Sequence, residues 1–294
     1  MSILMDITSL TVKEMRSKLD KKEISSPELT KAYLERIKNV DGKLESYITV
    51  TEEKAMAAAE AAQAKIDAGE ASPLCGIPLA IKDNICTEDV KTTCASKMLE
   101  NFIPPYNATV MDKLESQDIV MLGKTSMDEF AMGGSTQTSA FKKTKNPYDT
   151  ARVPGGSSGG SAAAVGADLC AAALGSDTGG SIRQPSSFCG VTGLKPTYGR
   201  VSRYGLVAFA SSLDQIGPIA RSAEDCGMIL NAIAGYDPHD GTVSKNPVDD
   251  YTSKIGMSMK GVKIAVPAEF YAEVIDEVVR KTVLAAADSY KDMG

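Results

Sequence analysis

A chain of 294 residues with 43% hydrophobic and 24% charged side chains reads as a soluble globular protein with ample apolar material for a core, in one large domain or two small ones. A net charge of −6 argues against a nucleic-acid groove on this chain and leaves any such contact to a partner. No apolar run approaches a membrane span, Met1–Asp6 does not read as a signal peptide, and none of the 6 cysteines forms a Cys-x-x-Cys pair, so the pattern predicts reduced, mostly buried thiols in a cytoplasmic protein rather than zinc or redox chemistry.

The chain starts helical. Thr11-Val12-Lys13-Glu14 fits a capping box, and Ser26-Pro27 fits an N-cap followed by the first helical position. Leu29, Ala32, Tyr33 and Ile37 then mark one apolar face. An alanine-rich helix is predicted from Glu52 to Ala68, closed by Gly69. Next come a strand at Leu79–Lys82, a helix at Ala108–Ser116, a strand at Ile119–Leu122 and a helix after Gly160. A strand near Ala171–Leu174 and a helix beginning near Ser181 follow, the latter aiming its N-terminal dipole at an oxyanion held by the loop before it. A helix at Ala223–Ala234, a polar surface excursion from Gly235 to Gly261, a strand at Val262–Val266 and a last helix from Ala272 complete the pattern. Alternating strands and helices indicate an α/β layered fold. The organisation expected is an N-terminal helical region over residues 1–70 and a core over 71–294, all one domain.

Two loops carry the chemistry: Gly155-Gly156-Ser157-Ser158-Gly159-Gly160-Ser161, and Gly175-Ser176-Asp177-Thr178-Gly179-Gly180-Ser181-Ile182-Arg183-Gln184-Pro185. They present hydroxyls and main-chain N–H groups with little side-chain bulk, which suits a serine nucleophile and an oxyanion. A linker is the common reading of such composition, yet the apolar run Ala162–Leu174 between them must be buried. A phosphate loop lacks its Gly-Lys-Ser/Thr ending. Gly155-Gly156-Ser157-Ser158-Gly159 matches a serine-hydrolase elbow, which calls for a histidine base. The single histidine, His239, lies in the turn Asp237-Pro238-His239-Asp240 and reads as solvated. A lysine is the remaining common base. Lys82 ends the apolar run Gly76–Ile81, and burial there moves an ammonium toward neutrality. Asp177 and Arg183 read as a structural ion pair, Asp83 and Asn84 as hydrogen-bonding partners of the loops, and Ser158, Ser161 and Ser176 as small residues with local bonds.

Together these two loops resemble the signature of the amidase signature family. The resemblance implies a mixed central β-sheet covered by α-helices on both faces and a Ser–cis-Ser–Lys triad. Ser181 becomes the acyl-forming nucleophile, Ser157 the bridging serine after a cis bond from Gly156, and Lys82 the base. The oxyanion hole falls on the N–H groups around Thr178, Gly179, Gly180 and Ser181. The segments Lys82–Thr87, Thr92–Ser96, Asn107–Val110, Met127–Thr136, Lys195–Arg203 and Gly205–Pro218 are similar to one branch of that family, the A subunits of aspartyl/glutamyl-tRNA(Asn/Gln) amidotransferases. Such proteins hydrolyse glutamine and pass ammonia to a B subunit that activates mischarged Glu-tRNA(Gln), with a C subunit completing a heterotrimer. ATP and magnesium belong to the B subunit, with no cofactor or metal on this chain. Met132, Gly133 and Thr178 are expected at the substrate amide. Family members are longer, and the Arg and Asp that grip the α-groups of glutamine are expected beyond residue 294. A stand-alone amidase of the same fold and an inactive fragment are the rival readings.

Overall fold

In the computed structural model, which describes residues 7–271 and 275–294, helix α1 (Val12–Asp20) begins at the expected capping box. Glu14 N donates to the Thr11 hydroxyl at 3.2 Å, and Thr11 N donates to the Glu14 carboxylate at 2.8 Å. Helix α2 (Ser26–Leu44) starts one residue earlier than its Ser-Pro pair suggests. Ser25 is the N-cap, because Glu28 stands three residues after it and completes a second capping box. Leu29, Ala32, Tyr33 and Ile37 are buried on one face. Helix α3 (Glu52–Ala68) ends, as expected, on Gly69 in the left-handed region at φ 76°.

Six strands form one mixed sheet: β1 (Tyr47–Val50), β2 (Pro78–Lys82), β3 (Val120–Thr125), β4 (Ala172–Asp177), β5 (Thr192–Gly193) and β6 (Gln215–Ala220), in the order β1-β3-β2-β4-β6-β5. The centre β3-β2-β4 is parallel, while β1, β6 and β5 join antiparallel. Helices α4 (Thr109–Glu115), α5 (Gly159–Gly166), α6 (Arg183–Phe188) and α7 (Ala223–Ile233) connect or flank the strands, giving the α/β class expected. Strand β3 runs three residues past the predicted end because Lys124 is wholly buried. Its ammonium donates to Ile85 O at 2.5 Å and to the Thr92 and Thr87 hydroxyls at 2.8 and 3.1 Å. Strand β6 escapes prediction because it contains Gly217 and Pro218, residues that weaken a strand pattern.

Helix α5 is composed of Gly, Ala, Ser and Val, and at Gly160 it packs closely on the main chain just after β3. A Cβ on Gly160 would lie 2.3 Å from Ser126 O and 2.5 Å from Ser126 N. Both neighbours are main chain and cannot swing away. Gly160→Ala is therefore expected to lower stability by about 1–3 kcal/mol, measured by denaturant unfolding.

This first unit of the chain ends at Thr252; a second runs from Ser253 to Gly294. In the second, helix α8 (Glu277–Ser289) is capped by Asp276, which accepts from Val278 N at 2.8 Å. The predicted helix start at Ala272 lies outside the described residues. The strand predicted at Val262–Val266 does not form. Its alternation is real, but no described strand lies beside it to pair its N–H and C=O groups, and Val262, Ile264 and Val266 line a shallow pocket with Leu284 and Tyr290.

Candidate active site

Strands β2 and β4 run parallel with Ile81 opposite Leu174, so their C-terminal ends meet. Lys82 ends β2, Ser176 and Asp177 end β4, and the Ser157 loop enters α5 beside them. The Lys82 side chain is fully buried, its amine enclosed by the Ser157 loop and the end of β4. Its Nζ lies 2.7 Å from Ser157 Oγ, 2.9 Å from Ser176 Oγ and 3.3 Å from Ser176 O. Burial drives the Lys82 amine down to about 7, against the opposing pull of Asp128, Asp177, Cys94 and Asp214.

Ser157 follows a cis peptide bond from Gly156 and is also fully buried. Ser181 is half-buried, and its hydroxyl hydrogen-bonds to none of the described residues. Its main-chain carbonyl accepts from Ser158 N at 3.1 Å, which ties the second glycine loop to the first. The structure thus brings Lys82 and Ser157 into contact and sets the accessible Ser181 on the adjoining loop, with no direct bond between the two serine hydroxyls. Buried amine, buried alcohol and half-buried alcohol form a gradient from protein interior to surface.

The loop Asp177–Ser181 is organised by one carboxylate. Asp177 accepts from the N–H groups of Gly180, Ile182 and Arg183 at 2.8, 3.0 and 3.3 Å and pairs with the Arg183 guanidinium at 3.0 and 3.1 Å. Burial pushes this carboxyl up, and the five bonds, led by Arg183, more than reverse that and hold it below its ordinary value. Asp177 and Arg183 are the structural pair expected. Gly180 N–H is consequently spent on Asp177. The N–H groups of Thr178, Gly179 and Ser181 donate to no described residue and are the ones left for an oxyanion. Helix α6 has only six residues and its leading N–H groups are engaged, so the dipole expected behind Ser181 has little to add.

Thr178 is half-buried, its hydroxyl donating to Asp214 at 2.5 Å. Met132, Gly133 and Gly134 are exposed, on a loop shaped by Asp128. The Asp128 carboxylate accepts from Ser135 N at 3.1 Å and from the Thr138 hydroxyl at 2.9 Å. A Cβ on Gly156 would lie 2.0 Å from Asp128 Oδ2, and one on Gly133 2.4 Å from Asp128 Cγ. Gln184 joins the same loops, accepting from Gly156 N at 2.9 Å and donating to Gly134 O at 3.0 Å. Neither Asp128 nor Gln184 stands out in the sequence by type; both lie within segments that carry the family resemblance, which is the one signal available.

Asn84 meets the second loop as expected, through Nδ2 to Ser176 Oγ at 3.0 Å. Asp83 does not. It accepts from Thr93 N at 3.0 Å and from the Thr93 hydroxyl, on the segment after β2, because the chain turns directly after Lys82, with Ile85 N donating to Lys82 O at 3.1 Å, and carries Asp83 to that segment. His239 is exposed, with Nδ1 3.0 Å from Asp237 Oδ1 and its ring against Tyr204. All six cysteines are buried free thiols. No helix among the described residues is long and apolar enough to cross a membrane.

Comparison with known proteins agrees with this geometry. The sequence pattern of the amidase family matches residues 28–294. The chain is 60% identical over 291 residues to the A subunit of the glutamyl-tRNA(Gln) amidotransferase of Ruminiclostridium cellulolyticum, covering 99% of this chain and 60% of that protein. It is 59% identical to the same-named protein of Caldanaerobacter subterraneus, covering 99% of this chain and 59% of that one. The chain therefore spans about 60% of the length of the curated relatives it matches. Among solved structures, the A subunit of the glutamyl-tRNA(Gln) amidotransferase of Thermotoga maritima superposes with a TM-score of 0.83 at 45% identity, over 98% of this chain and 60% of that one. A peptide amidase from Stenotrophomonas maltophilia superposes with a TM-score of 0.79 at 36% identity, over 83% and 52%. With the family pattern running across nearly all of its length, and a lysine, two serines and a cis bond set where the signature loops meet, the chain belongs to the amidase family.

Proposed function

We propose that this chain carries the glutamine-hydrolysing site of a tRNA-dependent amidotransferase. It works in the cytoplasm with B and C subunits and supplies ammonia for the ATP-dependent conversion of Glu-tRNA(Gln) to Gln-tRNA(Gln). The observation that carries the chemistry is the 2.7 Å contact between a buried, near-neutral Lys82 and Ser157 beside an accessible Ser181. The substrate and partners rest on relatives at 60% and 59% identity that bear the amidotransferase name.

The Ser181 proton passes to Ser157 as the Ser157 proton passes to Lys82 Nζ, and Ser181 Oγ bonds to the carboxamide carbon. The carbonyl oxygen, now an oxyanion, takes the N–H groups of Thr178, Gly179 and Ser181, each worth about 3–4 kcal/mol to the barrier. Collapse breaks the C–N bond, and the relay returns its proton to the leaving nitrogen as ammonia departs. Water then attacks the ester by the same relay, releasing glutamate and restoring Ser181.

The base must be uncharged, so glutamate formation by the complete protein is expected to rise with pH along a limb centred near about 7, where the Lys82 amine titrates. Stimulation by the B and C subunits with mischarged tRNA is the second expected result. A rate that does not change through neutrality removes Lys82 from the mechanism. Full turnover of simple amides with no gain from the partner proteins would move the assignment to a stand-alone amidase.

A further inference from the structure

Three oxygens surround Lys82 Nζ, and Ser176 supplies two of them. A neutral amine has two hydrogens and one lone pair. For Lys82 to take a proton from Ser157, the lone pair must face Ser157 and both hydrogens must go elsewhere. The Ser176 carbonyl can only accept, so it claims one. The Ser176 hydroxyl, 2.9 Å away, is the remaining acceptor for the other. That leaves the lone pair to face the Ser157 hydroxyl at 2.7 Å.

Ser176 Oγ is itself held. Asn84 Nδ2 donates to it at 3.0 Å, while Asn84 Oδ1 is buried with no partner among the described residues. A buried amide with one face unsatisfied costs stability, so its place is explained by what the other face does. We infer that Ser176, fixed by Asn84, is a positioning residue that takes the two hydrogens of the Lys82 amine and leaves its lone pair on Ser157. The inference rests on the reading of Lys82 as base.

The ammonium also donates to Ser176, and more strongly than the amine does, because the bond is charge-assisted. Losing the Ser176 hydroxyl therefore disfavours the ammonium and moves the titration to lower pH, while Asp128, Asp177 with its partner Arg183, Asp214 and Cys94 still face Lys82. A merely structural defect lowers the rate without moving the titration.

The test is covalent labelling of Ser181 in the complete protein by phenylmethanesulfonyl fluoride, followed by intact mass across neutral pH. Ser176→Ala is expected to lower the plateau rate about tenfold and shift the limb to lower pH, with Ser176→Thr restoring both. Asn84→Ala is expected to act in the same direction but more weakly, and to add nothing to Ser176→Ala in the double variant. Should Ser176→Ala fail to fold, Asn84→Ala carries the same two readouts. An unchanged or faster plateau, a limb moved to higher pH, or a loss common to Ala and Thr with an unmoved limb overturns the inference. Wild-type Ser181 that labels with no limb near neutrality, or not at all, overturns the assignment of Lys82 beneath it.

Discussion

Lys82→Met is expected to abolish most of the reactivity of Ser181 and at the same time make the protein more stable. Removing a general base lowers a rate by about 10²–10⁴-fold. Methionine has a similar volume, no charge and a flexible stem, so the buried channel beside β2 stays filled. The gain in stability has a defined pH window. In the unfolded chain the amine keeps its ordinary value of 10.5; in the fold, burial lowers it to about 7. Below about 7 both states are protonated and the fold bears the whole cost of the buried ammonium, on the order of 5 kcal/mol. Between about 7 and 10.5 the folded amine is neutral while the unfolded one still binds a proton, so wild-type stability climbs with pH. Above 10.5 the cost is gone. The melting-temperature advantage of Lys82→Met should therefore be greatest in mildly acidic buffer and shrink steadily on the alkaline side. Losing the contacts to Ser157 and Ser176 offsets part of the gain. A variant no more stable than wild type in mild acid would show that Lys82 is not held as a disfavoured ammonium.

Ser181→Ala should show the opposite profile: activity lost, stability untouched. The residue forms the covalent bond in the proposed chemistry, so sulfonyl fluoride labelling disappears and glutamate formation falls by roughly 10⁴–10⁶-fold. Yet the Ser181 hydroxyl is half-exposed and bonded to no described residue, while the loop around it is held by Asp177 through main-chain N–H groups that alanine retains. The unfolding free energy should stay within about 0.5 kcal/mol of wild type. Chemical denaturation beside the labelling assay separates the two effects. Persistent labelling at another serine would relocate the nucleophile.

The elements legible in the chain are those whose signal is local. Thr11 with Glu14, Gly69 after an alanine-rich run, and the apolar run before Lys82 each carry their reason within a few residues. Lys124 was not legible. It stands between Gly123 and Thr125, where nothing nearby announces burial, and only the Ile85–Thr92 segment folding over it supplies its acceptors. Val262–Val266 shows the converse: the alternation is in the sequence, but a strand is a relation between two extended segments, and among the described residues no strand pairs with this one.

Residue types and their order placed Lys82 at an apolar strand end and several serines in two small-residue loops; which two serines join the lysine was implied by the resemblance to the amidase signature family. Which groups stand within hydrogen-bonding reach of one another was decided only by the assembled fold. Asn84, Ser176 and Gln184 take their partners from loops far along the chain, and Asp128 is wedged against Gly156 across the same gap. Hydrogen bonds act over about 3 Å, so their pattern exists only once β2, β4 and α5 have brought distant residues within that reach.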